Sequence, residues 1–198
     1  MKKLVVGTFL TLDGVMQAPG DSQEDIEGGF EYGGWQMPLF DDDAGRIISE
    51  QIAATDALLL GRVTYQIFAA YWPNAPEDDP FAQRLNTMPK YVWSKTLGRV
   101  EWNNSTLING DLVEEVTKLK QQPGSGILSV IGSGKLAQSL MKHGLVDEYI
   151  LWIHPLVLGS GKRLFEGGVG PLHLKWVETQ TTGSGIVVLT YRPKEGAR

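Results

Sequence analysis

Glycines and hydroxyl residues stand at three points where a predicted strand leads into a turn. Leu60-Gly61-Arg62-Val63-Thr64 and Ile131-Gly132-Ser133-Gly134-Lys135 each run from an apolar strand into a helix, and Ser94-Lys95-Thr96 follows the strand Tyr91-Val92-Trp93. A helix N-terminus offers unpaired N–H groups at the positive end of its dipole, and glycine lets a ligand approach the backbone. These turns therefore favour a phosphate-bearing ligand, although each one alone is also typical of a tight connection or a solvated loop.

Two nucleotide-binding motifs can be tested against the glycine pattern. Gly132, Gly134 and Ala137 fit the dinucleotide fingerprint G-x-G-x-x-A, but no acidic residue stands at the usual distance of about 20 residues to bind a ribose. The string Gly-Ser-Gly-Lys occurs at 132–135 and again at 159–162. Neither copy has the earlier glycine or the following Ser or Thr that an ATP-binding P-loop requires, so a P-loop is excluded.

Candidate substrate residues are an aspartate and two tryptophans near the same predicted sheet edge. Asp13 directly follows the first strand, where a carboxylate could protonate a substrate through water or anchor an amino group. The alternative is a simple Asp-Gly turn with Gly14. Trp35 and Trp72 lie in loops beside this edge and could stack on a flat ligand. We interpret His154, before Pro155 at a strand end, as structural.

Composition excludes several classes of protein. The chain has 198 residues, 42% of them hydrophobic, which suits one compact domain with a sizeable core. A net charge of -5 argues against nucleic-acid binding, and no segment approaches a membrane span of about 20 apolar residues. There is no cysteine, and the three histidines lack metal-ligand spacing, so we expect no metal site. We expect a soluble, cytoplasmic protein.

Strands alternate with helices along the chain, which predicts an α/β fold with a mostly parallel central sheet. We expect one domain over 1–193 and a short flexible tail over 194–198. The stretch Gln17–Asp43 reads as an irregular loop, with Asp43 as the N-cap of a helix that reaches Thr55. The other predicted strands are 4–12, 57–60, 90–94, 107–108, 127–131 and 148–153, with helices after 61, 111 and 134 and a C-terminal antiparallel hairpin over 172–192. Pro73, Pro76 and Pro80, between the helix after 61 and the strand 90–94, predict a loop.

Five segments in this order resemble the dihydrofolate-reductase-like superfamily, in the branch that holds the reductase domain of bacterial riboflavin-biosynthesis deaminase-reductases. They cover almost the whole chain: Thr11-Leu12-Asp13-Gly14, Leu60-Gly61-Arg62-Val63-Thr64-Tyr65, Lys90-Tyr91-Val92-Trp93-Ser94-Lys95-Thr96-Leu97, Gly132-Ser133-Gly134-Lys135-Leu136 and Pro155-Leu156-Val157-Leu158-Gly159-Ser160-Gly161-Lys162-Arg163-Leu164-Phe165. We expect a stand-alone homologue, because these 198 residues do not contain the zinc-binding deaminase domain of the bifunctional enzymes.

The resemblance implies that NADPH binds across the sheet. The first glycine turn would hold the cofactor phosphates, the Ser94–Thr96 loop the 2′-phosphate, and the second glycine turn would cover the pyrophosphate. The nicotinamide would then lie near Asp13, which matches the carboxylate that orients substrate in the riboflavin branch. The implied cofactor residues are Gly61, Arg62, Val63, Thr64, Ser94, Lys95, Thr96, Ile131, Gly132, Ser133, Gly134, Lys135 and Leu136.

The resemblance also implies an activity. It is that of an NADPH-dependent reductase acting on a C=N or C=O bond of a small flat heterocycle, such as a pterin, a pyrimidine or 5-amino-6-(5-phosphoribosylamino)uracil. In dihydrofolate reductases a Trp-x-x-Pro-x-Asp stretch binds the pterin; Trp35 to Asp41 is similar, but Asp41 comes one residue late, which argues against folate. A non-catalytic NADPH-binding sensor or partner protein is the alternative. A homodimer is expected, with edge strands and Gly159–Phe165 as interface parts.

Overall fold

The structure is a computed structural model that describes residues 1–166 and 169–194. Within these ranges the strands all belong to one sheet: β1 Lys3–Thr11, β2 Thr55–Gly61, β3 Lys90–Trp93, β4 Ser105–Ile108, β5 Ile127–Ile131, β6 Glu148–His154, β7 Leu174–Thr181 and β8 Val187–Pro193. The helices are α1 Asp42–Ala53, α2 Arg62–Tyr71, α3 Pro80–Thr87, α4 Leu112–Gln121 and α5 Gly134–Lys142.

The sheet has the strand order β4-β3-β2-β5-β1-β6-β8-β7. The first six strands in this order are parallel, and β8 and β7 pair antiparallel at one edge. This confirms the predicted mostly parallel sheet with an antiparallel C-terminal hairpin. The chain crosses from β1 to β2 in one direction and from β5 to β6 in the other, so the carboxyl ends of β1, β2 and β5 border a crevice of the kind that binds ligands in open α/β sheets.

Both faces of the sheet are covered by helices because side chains alternate along each buried strand. In β2, Ala57 and Leu59 pack with α4 and α5, while Leu58 and Leu60 pack with residues of α1, α2 and α3. All four side chains are at most 1% exposed. The central strands are therefore rigidly held, and the turns at their carboxyl ends have fixed starting points.

Lys90 fixes the start of β3 from inside the core. Its side chain is fully buried, and its ammonium donates hydrogen bonds to the carbonyls of Leu85 (2.7 Å) and Met88 (2.9 Å). It also lies 4.2 Å from the ring centroid of Trp102. Burial lowers the pKa of Lys90 to about 8. The end of α3 is thereby joined to the strand that leads to the Ser94–Thr96 loop.

The predicted start of α1 and the predicted loop after α2 were wrong. The N-cap of α1 is Asp41, not Asp43: its backbone is extended, and its carboxylate accepts a hydrogen bond from the backbone N–H of Ala44 at 2.9 Å. The prolines after α2 were interpreted as a loop, but Asp79 caps α3 and Pro80 occupies its first turn, where a missing N–H costs nothing. The segment Gln17–Asp43 contains two short 3-10 helices, Glu27–Gly29 and Met37–Leu39.

At the C-terminus, the backbone N–H of Lys194 donates to the carbonyl of His173. The rest of the predicted flexible tail, 195–198, lies outside the described residues. No helix in the described ranges is long and apolar enough to cross a membrane.

Candidate functional site

A cavity of about 490 Å³ opens at the carboxyl ends of β1, β2, β3 and β5. One side of it, here called the cofactor half, consists of the three predicted turns. It contains every residue predicted to bind the cofactor: Gly61, Arg62, Val63, Thr64, Ser94, Lys95, Thr96, Ile131, Gly132, Ser133, Gly134, Lys135 and Leu136. The other side, here called the substrate half, consists of residues after β1 and after β6: Met16, Gln17, Ala18, Pro19, Glu24, Asp25, Glu27, Lys162, Arg163 and Glu166.

Hydrogen bonds between the two glycine turns fix the cofactor half. The backbone N–H of Gly61 donates to Ser133 Oγ (3.1 Å), and the backbone N–H of Ser133 donates to Thr64 Oγ1 (3.0 Å). Gly132 and Ser133 both have left-handed backbones, with φ of 58° and 50°. This bend places the N-termini of α2 and α5 side by side at the cavity, so their unpaired N–H groups offer a site for a diphosphate.

The third turn presents a charge to the same cavity. The Ser94 side chain is buried, and its hydroxyl accepts hydrogen bonds from the backbone N–H groups of Thr96 (3.2 Å) and Leu97 (3.0 Å). Ser94 therefore shapes the loop, while the side chains of Lys95 and Thr96 are exposed. A hydroxyl and an ammonium are left to contact a ligand.

Three cations line the cofactor half. Arg62, Lys95 and Lys135 are all exposed, and none forms a salt bridge with a described residue. Arg62 donates to the side chain of Gln66 one helical turn away. Unpaired cations around two helix N-termini attract an anion with several phosphates.

Asp13 contacts Arg163 of the substrate half, and both of its carboxylate oxygens accept hydrogen bonds. Its carboxylate accepts from Thr11 Oγ1 (2.6 Å) and from the backbone N–H groups of Leu158 (3.2 Å) and Gly159 (2.8 Å). The guanidinium of Arg163 lies 3.4 Å away. The Thr11 hydroxyl, followed by the two backbone donors, lowers the pKa of Asp13 to about 2, so the group is ionised at neutral pH.

Lys162 joins the two segments of the substrate half. Its ammonium lies 2.6 Å from a carboxylate oxygen of both Asp25 and Glu27. Its backbone N–H donates to Gln17 Oε1 (3.0 Å), and its carbonyl accepts from the N–H of Met16 (2.8 Å). We call residues 13–17, 25–27 and 158–163 the junction, because these contacts hold the segment after β1 against the segment after β6.

Glu24 is a half-buried acid in the cavity lining. Its carboxylate accepts from the backbone N–H groups of Gly20 (2.7 Å) and Asp21 (3.3 Å). Burial raises the pKa of Glu24 above its ordinary value, and these hydrogen bonds oppose the rise.

The predicted substrate residues are not brought together by the fold. None of Asp13, Trp35, Asp41 and Trp72 belongs to the cavity lining. Trp35 is buried behind it and donates from Nε1 to the carbonyl of Gln17, and the Asp41 carboxylate caps α1 and accepts from the N–H of Ser184. Trp72 packs against the rings of Phe68, Tyr71 and Phe81. Contact between these four residues and a substrate stays a prediction.

Sequence reasoning missed several residues of the substrate half. Four of them line the cavity and contact one another: Gln17, Asp25, Glu27 and Lys162. The contacts of Lys162 with the other three span 135 or more positions, whereas Gln17 also contacts Asp25 and Glu27 nearby in the sequence. The sequence did contain one signal for Lys162. It lies in the segment Pro155–Phe165, which resembles the family, but no role was predicted for it.

A second, mostly apolar cavity of about 250 Å³ adjoins the first between α1 and the sheet. Both cavities are lined by Thr8, Phe9 and Ile131, and the second also by Ile48 and Trp152. The Thr8 side chain is 4% exposed, and its hydroxyl has no hydrogen-bond partner among the described residues. A buried polar atom without a partner calls for one, and a ligand at this boundary can supply it.

The mostly parallel sheet with its flanking helices and antiparallel edge is a dihydrofolate-reductase-like fold. At 12% identity the structure matches dihydrofolate reductase from Enterococcus faecalis, complexed with NADP(H) and RAB-propyl, with a TM-score of 0.62 over 98% of this chain and 97% of that one. At 21% identity it matches a putative riboflavin biosynthesis protein from Shewanella sp. PV-4 with a TM-score of 0.75, covering 98% of this chain and 99% of that one.

The family follows from the sequence comparison. The model of the RibD C-terminal domain matches residues 2–188, so the chain belongs to this family. A relative of full length is the uncharacterized protein YyaP of Bacillus subtilis (strain 168), 32% identical over 195 residues, which span 96% of this chain and 94% of YyaP. Among the described residues there is no group of His, Cys, Asp and Glu that could hold a metal ion.

Proposed function

We propose that the protein is an NADPH-dependent reductase of a C=N or C=O bond in a small flat heterocycle such as a pterin or a pyrimidine. One observation carries the proposal. Three turns far apart in the chain, 61–64, 94–96 and 131–136, meet in one cavity with two helix N-termini and three unpaired cations. That combination suits a dinucleotide with an additional phosphate.

Each part of the cofactor half has a task in this proposal. The N–H groups at the starts of α2 and α5 bind the diphosphate, and Lys95 with Thr96 binds the 2′-phosphate. NADPH supplies the hydride. The relation to a dihydrofolate reductase complexed with NADP(H), at the level of the fold, supports this choice of cofactor.

The substrate ring enters from the opposite side in this proposal. The boundary between the two cavities, at Thr8, Phe9 and Ile131, provides apolar contacts and one hydroxyl for a ring edge. Asp13 acts as a positioning residue: its ionised carboxylate holds the backbone at Leu158 and Gly159 in place, so that the junction closes one side of the cavity. Closing this side excludes water from the hydride donor.

The first test compares thermal melting of the protein with NADPH and with NADH at equal concentration. A ligand that binds only the folded state raises stability by RT ln(1 + [L]/Kd), so the two shifts compare affinities. We expect a larger shift with NADPH. Lys95→Met should weaken NADPH about tenfold, equivalent to ~1.4 kcal/mol, and leave NADH unchanged.

Lys175→Met is the matched control, because Lys175 is exposed on β7 and lies outside the cavity. Equal shifts with both cofactors would contradict the 2′-phosphate assignment, and no shift with either would contradict the cofactor site. With binding established, loss of NADPH absorbance in the presence of pterins and pyrimidines tests turnover. Binding without turnover across such a panel would instead favour the non-catalytic NADPH-binding protein.

A further inference from the structure

The two halves of the cavity carry opposite charge. The cofactor half has three cations, whereas four carboxylates line the substrate half: Glu24, Asp25, Glu27 and Glu166. Lys162 and Arg163 are the cations of that half among the described lining residues. A ligand that reaches beyond the cofactor therefore meets an excess of negative charge.

Neither cation of the substrate half is available to a phosphate. The Lys162 ammonium lies 2.6 Å from both Asp25 and Glu27, which together outnumber its charge. The Arg163 guanidinium donates to the carboxylate and the carbonyl of Asp13 and to the carbonyl of Gly159. A phosphate could recruit either cation only by breaking the junction.

Two carboxylates stay without a cation partner. Among the described residues, Glu24 accepts only from backbone N–H groups, and the Glu166 carboxylate forms no hydrogen bond or salt bridge. Repulsion between like charges within a few ångströms is strengthened when part of the water is excluded, as it is beside the half-buried Glu24. These acids disfavour a second phosphate next to the cofactor.

An independent feature favours an uncharged ligand. The buried Thr8 hydroxyl, unpartnered among the described residues, lines both cavities and can exchange a neutral hydrogen bond with a ring nitrogen, amino or carbonyl group. The adjoining cavity beyond it is mostly apolar. Both properties suit a bare ring, whereas a phosphate would find one hydroxyl in apolar surroundings and no positive charge there.

We propose that the substrate is an unphosphorylated heterocycle, neutral or cationic, and that the four carboxylates of the substrate half select against phosphorylated compounds. The inference rests on the proposed function and narrows its substrate class. It separates this chain from the reduction of 5-amino-6-(5-phosphoribosylamino)uracil, which the family resemblance implies. The charge of the substrate half thus gives the specificity that the shared fold leaves open.

The test uses a matched pair of probes, 5-amino-6-(5-phosphoribosylamino)uracil and the same compound without its phosphate. Their dissociation constants are measured by ligand-observed NMR on the protein saturated with NADP⁺, which cannot donate a hydride and therefore leaves the probes unreduced, at probe concentrations up to the millimolar range. We expect the unphosphorylated probe to bind at least about tenfold more tightly. Equal affinity, or tighter binding of the phosphorylated probe, would overturn the proposal.

Charge variants show whether the carboxylates cause the preference. Glu166→Gln removes one charge at an exposed site and breaks no hydrogen bond or salt bridge with a described residue, so we expect it to fold like the parent protein. It should reduce the ratio of the dissociation constants of the phosphorylated and unphosphorylated probes about twofold. Asp25→Asn with Glu27→Gln frees the Lys162 ammonium and should narrow the ratio further. Glu178→Gln, exposed on β7, should leave it unchanged. A ratio that is the same in all these proteins would contradict the role of the carboxylates.

Failure of this inference can be told apart from failure of the proposed function. The melting shift with NADPH and the oxidation of NADPH report on the cofactor site and on turnover, whatever the charge of the substrate. A clear NADPH shift with tighter binding of the phosphorylated probe would preserve the reductase and overturn the selection against phosphate. No NADPH shift, with the same preference between the two probes measured on the protein without cofactor, would preserve the selection against phosphate and overturn the NADPH-dependent reductase.

Discussion

The cofactor half and the substrate half of the cavity are built in different ways. In the cofactor half, hydrogen bonds link two of the turns across 69 and 72 positions, and the cations face solvent without salt bridges to described residues. In the substrate half the contacts join residues still farther apart in the sequence, such as Gln17 and Lys162, which are separated by 145 positions. Its cations are already paired with carboxylates.

This difference separates ligand affinity from stability. Cations without a salt bridge contribute little to the free energy of unfolding when no ligand is bound. The ion pairs and hydrogen bonds of the junction hold two segments together whether or not a ligand is bound. Substitutions in the cofactor half should therefore change NADPH binding more than folding. Substitutions in the junction should change folding more than NADPH binding.

Gly132→Val should have the largest effect on binding. Gly132 has φ of 58°, and an added Cβ would lie 3.5 Å from Thr64 Oγ1, above the link between the two glycine turns. The left-handed backbone makes valine unfavourable by roughly 1–3 kcal/mol, and its bulk blocks the approach of phosphate. We expect NADPH affinity to fall by about a hundredfold or more, measured by fluorescence titration.

The control for this variant is Gly124→Val. Gly124 also has a positive φ, 113°, but nothing lies within 4 Å of an added Cβ, and it is outside the cavity. It should lose stability in urea unfolding while keeping its affinity for NADPH. Equal loss of NADPH affinity in both variants would show that backbone strain anywhere in the fold is sufficient to weaken binding. It would contradict the separation of ligand affinity from stability.

Lys162→Met should lower the stability of the fold and leave NADPH affinity nearly unchanged. It leaves the carboxylates of Asp25 and Glu27 facing each other without their shared cation, and because the ammonium is partly exposed we expect a loss of only about 1 kcal/mol in the free energy of unfolding. NADPH affinity should stay within about twofold of the parent protein. Lys118→Met, which removes an exposed pair with Glu115 on α4, should cost less than half as much. A fall in NADPH affinity as large as that of Gly132→Val would break the comparison.

Asp13→Asn should lower stability about as much as Lys162→Met does, but with a defined pH dependence. The hydrogen bonds in the folded protein lower the pKa of Asp13 from 3.8 to about 2, so the carboxylate stabilises the fold above pH 3.8 and loses this contribution as the pH falls towards 2. After discounting for its partial exposure, we expect the variant to be about 1 kcal/mol less stable at neutral pH.

That difference should shrink as acid protonates the parent protein. Urea unfolding of both proteins at neutral pH and near pH 3 gives the measurement. Asp78→Asn, at an exposed aspartate that makes no hydrogen bond with a described residue, is the control and should show no such trend. A constant difference between parent and Asp13→Asn at every pH would contradict the role of the ionised carboxylate.

The same division explains what could be predicted from the sequence. The strand Ile127–Ile131 and the glycine turn after it were predicted with the observed bounds, because apolar runs and turn residues act locally. The prolines before α3 led to the prediction of a loop in place of this helix. Asp79 and Pro80 form the start of the helix, but their residue types are also common in loops.

The substrate residues could not be predicted in this way. Asp41 and Trp35 have the right residue types, but their polar groups are engaged by the β7–β8 turn and by Gln17, contacts that no local pattern encodes. Lys162 and Asp25 contact each other across 137 positions. A cytoplasmic location and a homodimer with Gly159–Phe165 at its interface stay predictions from the sequence.

The long reach of the junction also sets the order in which the cavity is completed on the ribosome. All three cofactor turns have been synthesised by Leu136, together with the strands β2, β3 and β5 that carry them. Asp13 is synthesised before these turns, but its backbone partners at 158 and 159 follow it by 145 or more positions. At about 5–20 residues per second, the nascent chain spends many seconds with its first segment unmatched. The junction therefore forms only after all three cofactor turns have been synthesised.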